Sequence, residues 1–151
     1  MSTIELEPYL RLAIEEARRA SANGNLCVGS VVVRDGKVIG SGHNTVSSTG
    51  DLTAHAEVSA IRDACARLGT AELTGATLYT TMEPCPMCLW AICLARIERL
   101  VLGARHRTFR RPELGDYTVE KMLAMTAVPL EIVTGVLTDE CEALRPEMAR
   151  A

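Results

Sequence analysis

The 151-residue chain predicts an α/β fold, a three-layer α/β/α sandwich around a central mixed sheet of about five strands. Three observations carry this expectation. Helical and strand patterns alternate along the chain, the β-rich runs are short, and apolar residues make up 48% of the sequence, ample for a packed core. With no internal repeat, linker or low-complexity tract, residues 1–151 are read as a single domain.

Leu6, Tyr9, Leu10, Ala13, Ile14 and Ala17 recur at helical spacing with charged residues on the other faces, so residues 5–21 read as an amphipathic helix that Gly24 ends. Val31, Val32 and Val33 face Val38 and Ile39 across Asp35-Gly36, a strong hairpin signal. Residues 40–51, rich in Gly, Ser, Asn and Thr, read as a loop. Val58, Ile61, Cys65 and Leu68 trace a second buried helical stripe, with Thr53 as N-cap and Gly69 as stop. Strands are expected at 77–81, 100–102 and 130–133, and helices at 87–95, 119–127 and 139–150.

The formal net charge of −3 offers no global attraction for nucleic acid or an anionic membrane and favours a small substrate. Residues 1–12 lack a basic start followed by an apolar run, and Arg96, Glu98 and Arg99 interrupt the most hydrophobic region. The expectation is a cytoplasmic protein with no membrane partner. In that setting the six cysteines, Cys27, Cys65, Cys85, Cys88, Cys93 and Cys141, point to metal or buried thiols ahead of a disulfide framework, with Cys65 and Cys93 as inert core residues.

Cys85-Pro86-Met87-Cys88 places two thiols three positions apart at a strand-to-helix junction, where both can point at one ion. Alone, the pair also fits core cysteines or a redox dithiol. His55-Ala56-Glu57, at the start of another helix, adds a third ligand and a carboxylate. One His and two Cys leave the fourth tetrahedral position of Zn2+ open to water, which marks a catalytic site, and Glu57 can move the protons of the activated water. Both ligand segments lie at predicted helix N-termini, which favours thiolate over thiol. Residues two apart point to different faces of a regular helix, so Glu57 needs a first-turn geometry that spacing does not supply.

Residues 53–57 (Thr-Ala-His-Ala-Glu) followed by 83–88 (Glu-Pro-Cys-Pro-Met-Cys) resemble the cytidine and deoxycytidylate deaminase superfamily, particularly its branch of cytosine, guanine and tRNA adenosine deaminases. The resemblance runs from the first helix to residues 138–142. It implies a cytidine deaminase-like fold, hydrolytic deamination with Glu57 as the acid–base, and a homodimer. Two positions depart from the family pattern: Cys27 stands where Pro is usual and Trp90 where Gly is usual, both near the pocket-shaping motifs.

The same resemblance makes Asn44 a hydrogen-bonding partner of the substrate and Phe109 an aromatic that stacks on the base, as in fungal-type cytosine deaminases. Asn44 could instead stabilise its own turn, and Phe109 could belong to the core. Ala56, between the ligand and the carboxylate, joins the candidate substrate-binding residues. Asp116 offers a second carboxylate or a helix N-cap, Trp90 a pocket wall or a subunit interface, and His43 reads as a loop residue. The favoured substrate is a free base: cytosine, isocytosine, guanine or a related aminoheterocycle. A tRNA adenosine is the first alternative, and the basic cluster at residues 105–111 could meet its phosphates, although no Lys/Arg-rich tail follows Arg145. A nucleoside or nucleotide comes next. A non-catalytic zinc-binding module is disfavoured by Glu57 and the open coordination position.

Overall fold

The computed structural model describes residues 2–145, and its elements follow the expected alternation. They run α1 (Thr3–Ala22), β1 (Gly29–Arg34), β2 (Lys37–His43), α2 (Val46–Thr49), α3 (Ala56–Leu68), β3 (Thr77–Met82), α4 (Pro86–Leu94), β4 (Arg99–Ala104), α5 (Val119–Ala124), β5 (Glu131–Val133) and α6 (Thr138–Ala143). The sheet order is β2-β1-β3-β4-β5, with β1 antiparallel to both neighbours and β3, β4 and β5 parallel.

Period-two alternation divides the core into the two layers expected of a sheet covered on both faces. Val31, Val33, Tyr79 and Val101 join Leu6, Leu10 and Ile14 of α1 on one face. Val32, Leu78, Leu100 and Leu102 join Ala60 of α3 and Leu89 and Ile92 of α4 on the other. Cys93 is buried in this second layer with Cys65 packed against it, in keeping with their reading as core residues.

The β1–β2 hairpin closes on Asp35 and Gly36, both at positive φ, as a two-residue turn of this kind requires. The segment 40–51 departs from expectation, because β2 continues through Gly40 and Gly42 to His43 and a short helix follows. The two glycines lie on one face of the strand, where α3 packs so closely that a Cβ at Gly40 would stand 2.5 Å from the Ala60 carbonyl oxygen and one at Gly42 2.5 Å from the Ala60 nitrogen. Glycine here marks a close helix–strand approach. The expected N-cap Thr53 is not used either; His55 caps α3, and Thr53 hydrogen-bonds the Asp51 carboxylate. Residues 146–150 of the expected last helix lie outside the described residues.

Candidate active site

His55 and Cys85 are the N-cap residues of α3 and α4, two helices that pack against each other and point their N-termini at the same spot. Pro86 at the first position of α4 pre-sets its entry, and Cys88 follows one turn inside. The Nδ1 of His55 lies 3.6 Å from the Cys85 sulfur and 3.4 Å from the Cys88 sulfur. A tetrahedral zinc with Zn–S of about 2.3 Å and Zn–N of about 2.0–2.1 Å separates N from S by about 3.5 Å. The three donor atoms, all within 4.8 Å of one another, therefore fit that ion.

The electrostatics of the trio suit a cation. The hydrogen bond from Cys88 holds the Cys85 thiol down at about 4, helped by His55. The same bond, together with burial, pushes Cys88 up. The two sulfurs and the His55 nitrogen are already gathered at one point, where a metal would meet ligands in place. His55 is raised, first by its hydrogen bond with Cys85.

Because His55 has extended backbone (φ −74°, ψ 155°) and precedes the first helical residue, it does not obey helical spacing. That resolves how Glu57 shares its site: His55, Ala56 and Glu57 all line one pocket of about 110 Å³, with Asn44, Glu83 and Cys85 around it. Glu57 is 4% exposed, and burial raises its carboxyl above the usual range. Its Oε1 lies 2.8 Å from the Thr80 hydroxyl, which is also 3.2 Å from the Met82 carbonyl. Thr80 can donate to an ionised Glu57, or accept from a protonated Glu57 while donating to Met82, so either protonation state is satisfied.

The Asn44 Oδ1 accepts the Val46 N–H at 3.1 Å, a turn-stabilising contact that directs the side chain while the residue still lines the pocket. Three expected substrate contacts are not brought there. Phe109 is 1% exposed inside the α1-side core, with the Arg145 guanidinium 5.8 Å from its ring centre, because the turn after β4 sends it into the sheet face. Trp90, 41% exposed on α4, does not border the pocket. Asp116 is exposed, away from the pocket, and the N-cap of α5 is Thr118, whose hydroxyl accepts the Lys121 N–H. His43 is no loop residue either; it ends β2 and sits 2.8 Å from Glu16.

Sequence reasoning missed the residues that hold the site together. Glu83, buried at the end of β3, accepts the His106 N–H through Oε1 and the Val119 N–H through Oε2, each at 3.0 Å. The Tyr117 hydroxyl donates to the Pro84 carbonyl at 2.6 Å. These bonds tie the cysteine loop to the segment after β4, which brings His106, Arg111 and Arg145 to the pocket wall. A Glu inside the cysteine motif was the available signal, but its partners are backbone groups 23 and 36 residues away and have no signature. Beside this pocket lies a second hollow of about 320 Å³; His106 and Arg111 line both, and Arg107 and Arg110 line the second.

Residues 3–104 match the family model of the cytidine and deoxycytidylate deaminase zinc-binding region, and the chain belongs to that family of zinc-dependent hydrolytic deaminases. Within it, the chain is 41% identical over 138 residues to a tRNA-specific adenosine deaminase of Bacillus subtilis, covering 89% of this chain and 83% of that protein. It is 46% identical over 98 residues to a protein of the same description from Aquifex aeolicus, a match spanning 65% of each. A solved structure of guanine deaminase from Nitrosomonas europaea superposes with a TM-score of 0.81 at 26% identity, over 96% of this chain and 85% of that one.

Proposed function

We propose that this protein deaminates an adenosine carried in tRNA, with water as the second substrate and ammonia as the product. The observation that carries the proposal is the basic hollow beside the metal pocket, which shares His106 and Arg111 with it. The inner pocket of about 110 Å³ is far below the roughly 300–1,000 Å³ of sites for drug-sized ligands, so it suits a single flipped-out base. Outside it, Arg107, Arg110 and Arg111 offer the phosphates flanking that base three guanidinium groups. The names of the Bacillus and Aquifex relatives support the same reading, in place of the free base that composition favours.

His55, Cys85 and Cys88 would hold the zinc, which would supply the Lewis acidity that makes water nucleophilic near neutral pH. Glu57 takes a proton from that water and delivers it to the ring nitrogen next to the carbon under attack. It then moves the remaining proton of the added hydroxyl to the departing amine, so the C–N bond breaks, ammonia leaves and the C=O bond forms. Burial and the Thr80 hydroxyl prepare Glu57 for both steps. Asn44 and Ala56, which line the pocket, contact the base, and residues 1–151 act as one domain in the cytoplasm.

A homodimer fits the surface of α4, where Met87, Trp90 and Leu94 form an exposed apolar stripe at three- and four-residue spacing. Trp90→Gly should shift the protein toward monomer in size-exclusion chromatography. A free base such as guanine or cytosine is the second reading, favoured by the net charge of −3 and the likeness to guanine deaminase. An ammonia-release screen of zinc-loaded protein decides between them. The proposal expects turnover of a tRNA stem-loop that weakens steeply with salt; efficient turnover of a free base with none on the stem-loop refutes it.

A further inference from the structure

His106 is a polar residue of the pocket wall that neither the metal chemistry nor the proton transfers use. It opens the 3-10 turn His106–Phe109 directly after β4. Its backbone is fixed by the Glu83 carboxylate at 3.0 Å and its ring packs 6.0 Å from that of Tyr117. The residue is 6% exposed, yet among the described residues neither ring nitrogen meets a hydrogen-bond partner. The Pro84 carbonyl beside it accepts the Tyr117 hydroxyl at 2.6 Å and also draws on the ring, without reaching hydrogen-bond geometry.

Leaving a buried polar group unpaired costs roughly 1–3 kcal/mol, and such groups in folded proteins call for a reason. Packing alone would be served better by an apolar ring. Burial also lowers the His106 pKa, and a neutral imidazole carries one donor and one acceptor. His106 lines both the metal pocket and the basic hollow beside it.

We propose that His106 is a substrate-recognition residue: its imidazole hydrogen-bonds the polar edge of the bound heterocycle and helps set which base the pocket accepts. This rests on the reading of the site as a nucleobase deaminase and adds to it the group that discriminates among bases. A heterocycle that presents a donor or an acceptor to one ring nitrogen is favoured over one that presents only carbon there. No proton is transferred through His106, so its loss acts on binding and ranking ahead of the chemical step.

The test compares wild type, His106→Phe and His106→Asn, all zinc-loaded, across a tRNA stem-loop, adenosine, adenine, guanine and cytosine. The Phe variant keeps an aromatic ring without hydrogen bonds; the Asn variant keeps a donor and an acceptor. With zinc content unchanged, His106→Phe should raise KM on the preferred substrate about 5- to 100-fold, change kcat less, and reorder the substrates, while His106→Asn restores part of the loss. Independently, the 15N resonances of the His106 ring in wild type should move when a purine ribonucleoside lacking the exocyclic amine is added. A folded His106→Phe with KM and ranking within twofold of wild type overturns the proposal, and so do ring resonances that stay still at saturating ligand. Should His106→Phe not fold, the Asn variant and the resonances decide. Wild-type turnover of a free base alone would refute the tRNA reading and leave the His106 comparison to be made on that base; no turnover of any substrate would overturn both.

Discussion

Glu83→Gln tests whether the active site is assembled by one buried carboxylate. Both oxygens of Glu83 are used, one by the His106 N–H and one by the Val119 N–H, each at 3.0 Å, with the Arg105 guanidinium 3.7 Å away. An amide keeps one acceptor and turns an NH2 group toward the second N–H. One buried donor then loses its partner, roughly 1–3 kcal/mol, and the surviving bond loses its charge assistance, roughly another 1 kcal/mol. The neutral side chain relieves some burial cost, which the lost attraction to Arg105 offsets. A loss of about 2–4 kcal/mol at about 2–4 °C per kcal/mol for a domain of this size lowers Tm by about 4–16 °C. Scanning calorimetry of the zinc-loaded protein measures it, with Glu120→Gln as control. That residue also pairs with Arg105, at 2.6 Å, but is exposed, and its loss should cost about 1 kcal/mol or less. A Glu83→Gln protein melting within about 2 °C of wild type would refute the bracing role.

Cys88→Ala should abolish stoichiometric zinc binding after dialysis, since it removes one of three protein donors; full retention would remove Cys88 from the ligand set. Glu57→Gln should keep zinc and fold while kcat falls by roughly 10²- to 10⁴-fold, and activity within a few-fold of wild type would assign the protons to another group. Gly42→Ala sets a methyl 2.5 Å from the Ala60 nitrogen and 2.7 Å from the Ser59 Cβ. It should cost about 1–3 kcal/mol, and an unchanged Tm would mean that α3 lies farther from β2 than described.

The alternation of β-branched runs with helical stripes was enough to place every strand and every long helix, because backbone period and side-chain burial are local properties of the chain. The metal trio was equally legible: a C-x-x-C pair and a distant His–x–Glu are chemically specific combinations that few other uses demand. Segment 40–51 misled because Gly and Ser are ambiguous by themselves. They signal a loop where the chain turns and a strand where a helix lies against it, and only the position of α3 distinguishes the two.

What the sequence by itself determined was therefore the layered α/β class, the presence of a zinc site and its ligands, and the carboxylate beside it. The tertiary structure alone decided which residues complete the pocket. Phe109 and Trp90 were the natural aromatic candidates, yet one is buried in the core and the other faces outward. His106 and Arg111 stood out only as members of the basic cluster at residues 105–111, yet they line the wall. The physical reason lies in Glu83. Its two hydrogen bonds to backbone N–H groups hold the turn after β4 and the start of α5 against the cysteine loop, and since every non-proline residue offers the same N–H, no pattern of side chains announces which one will be used.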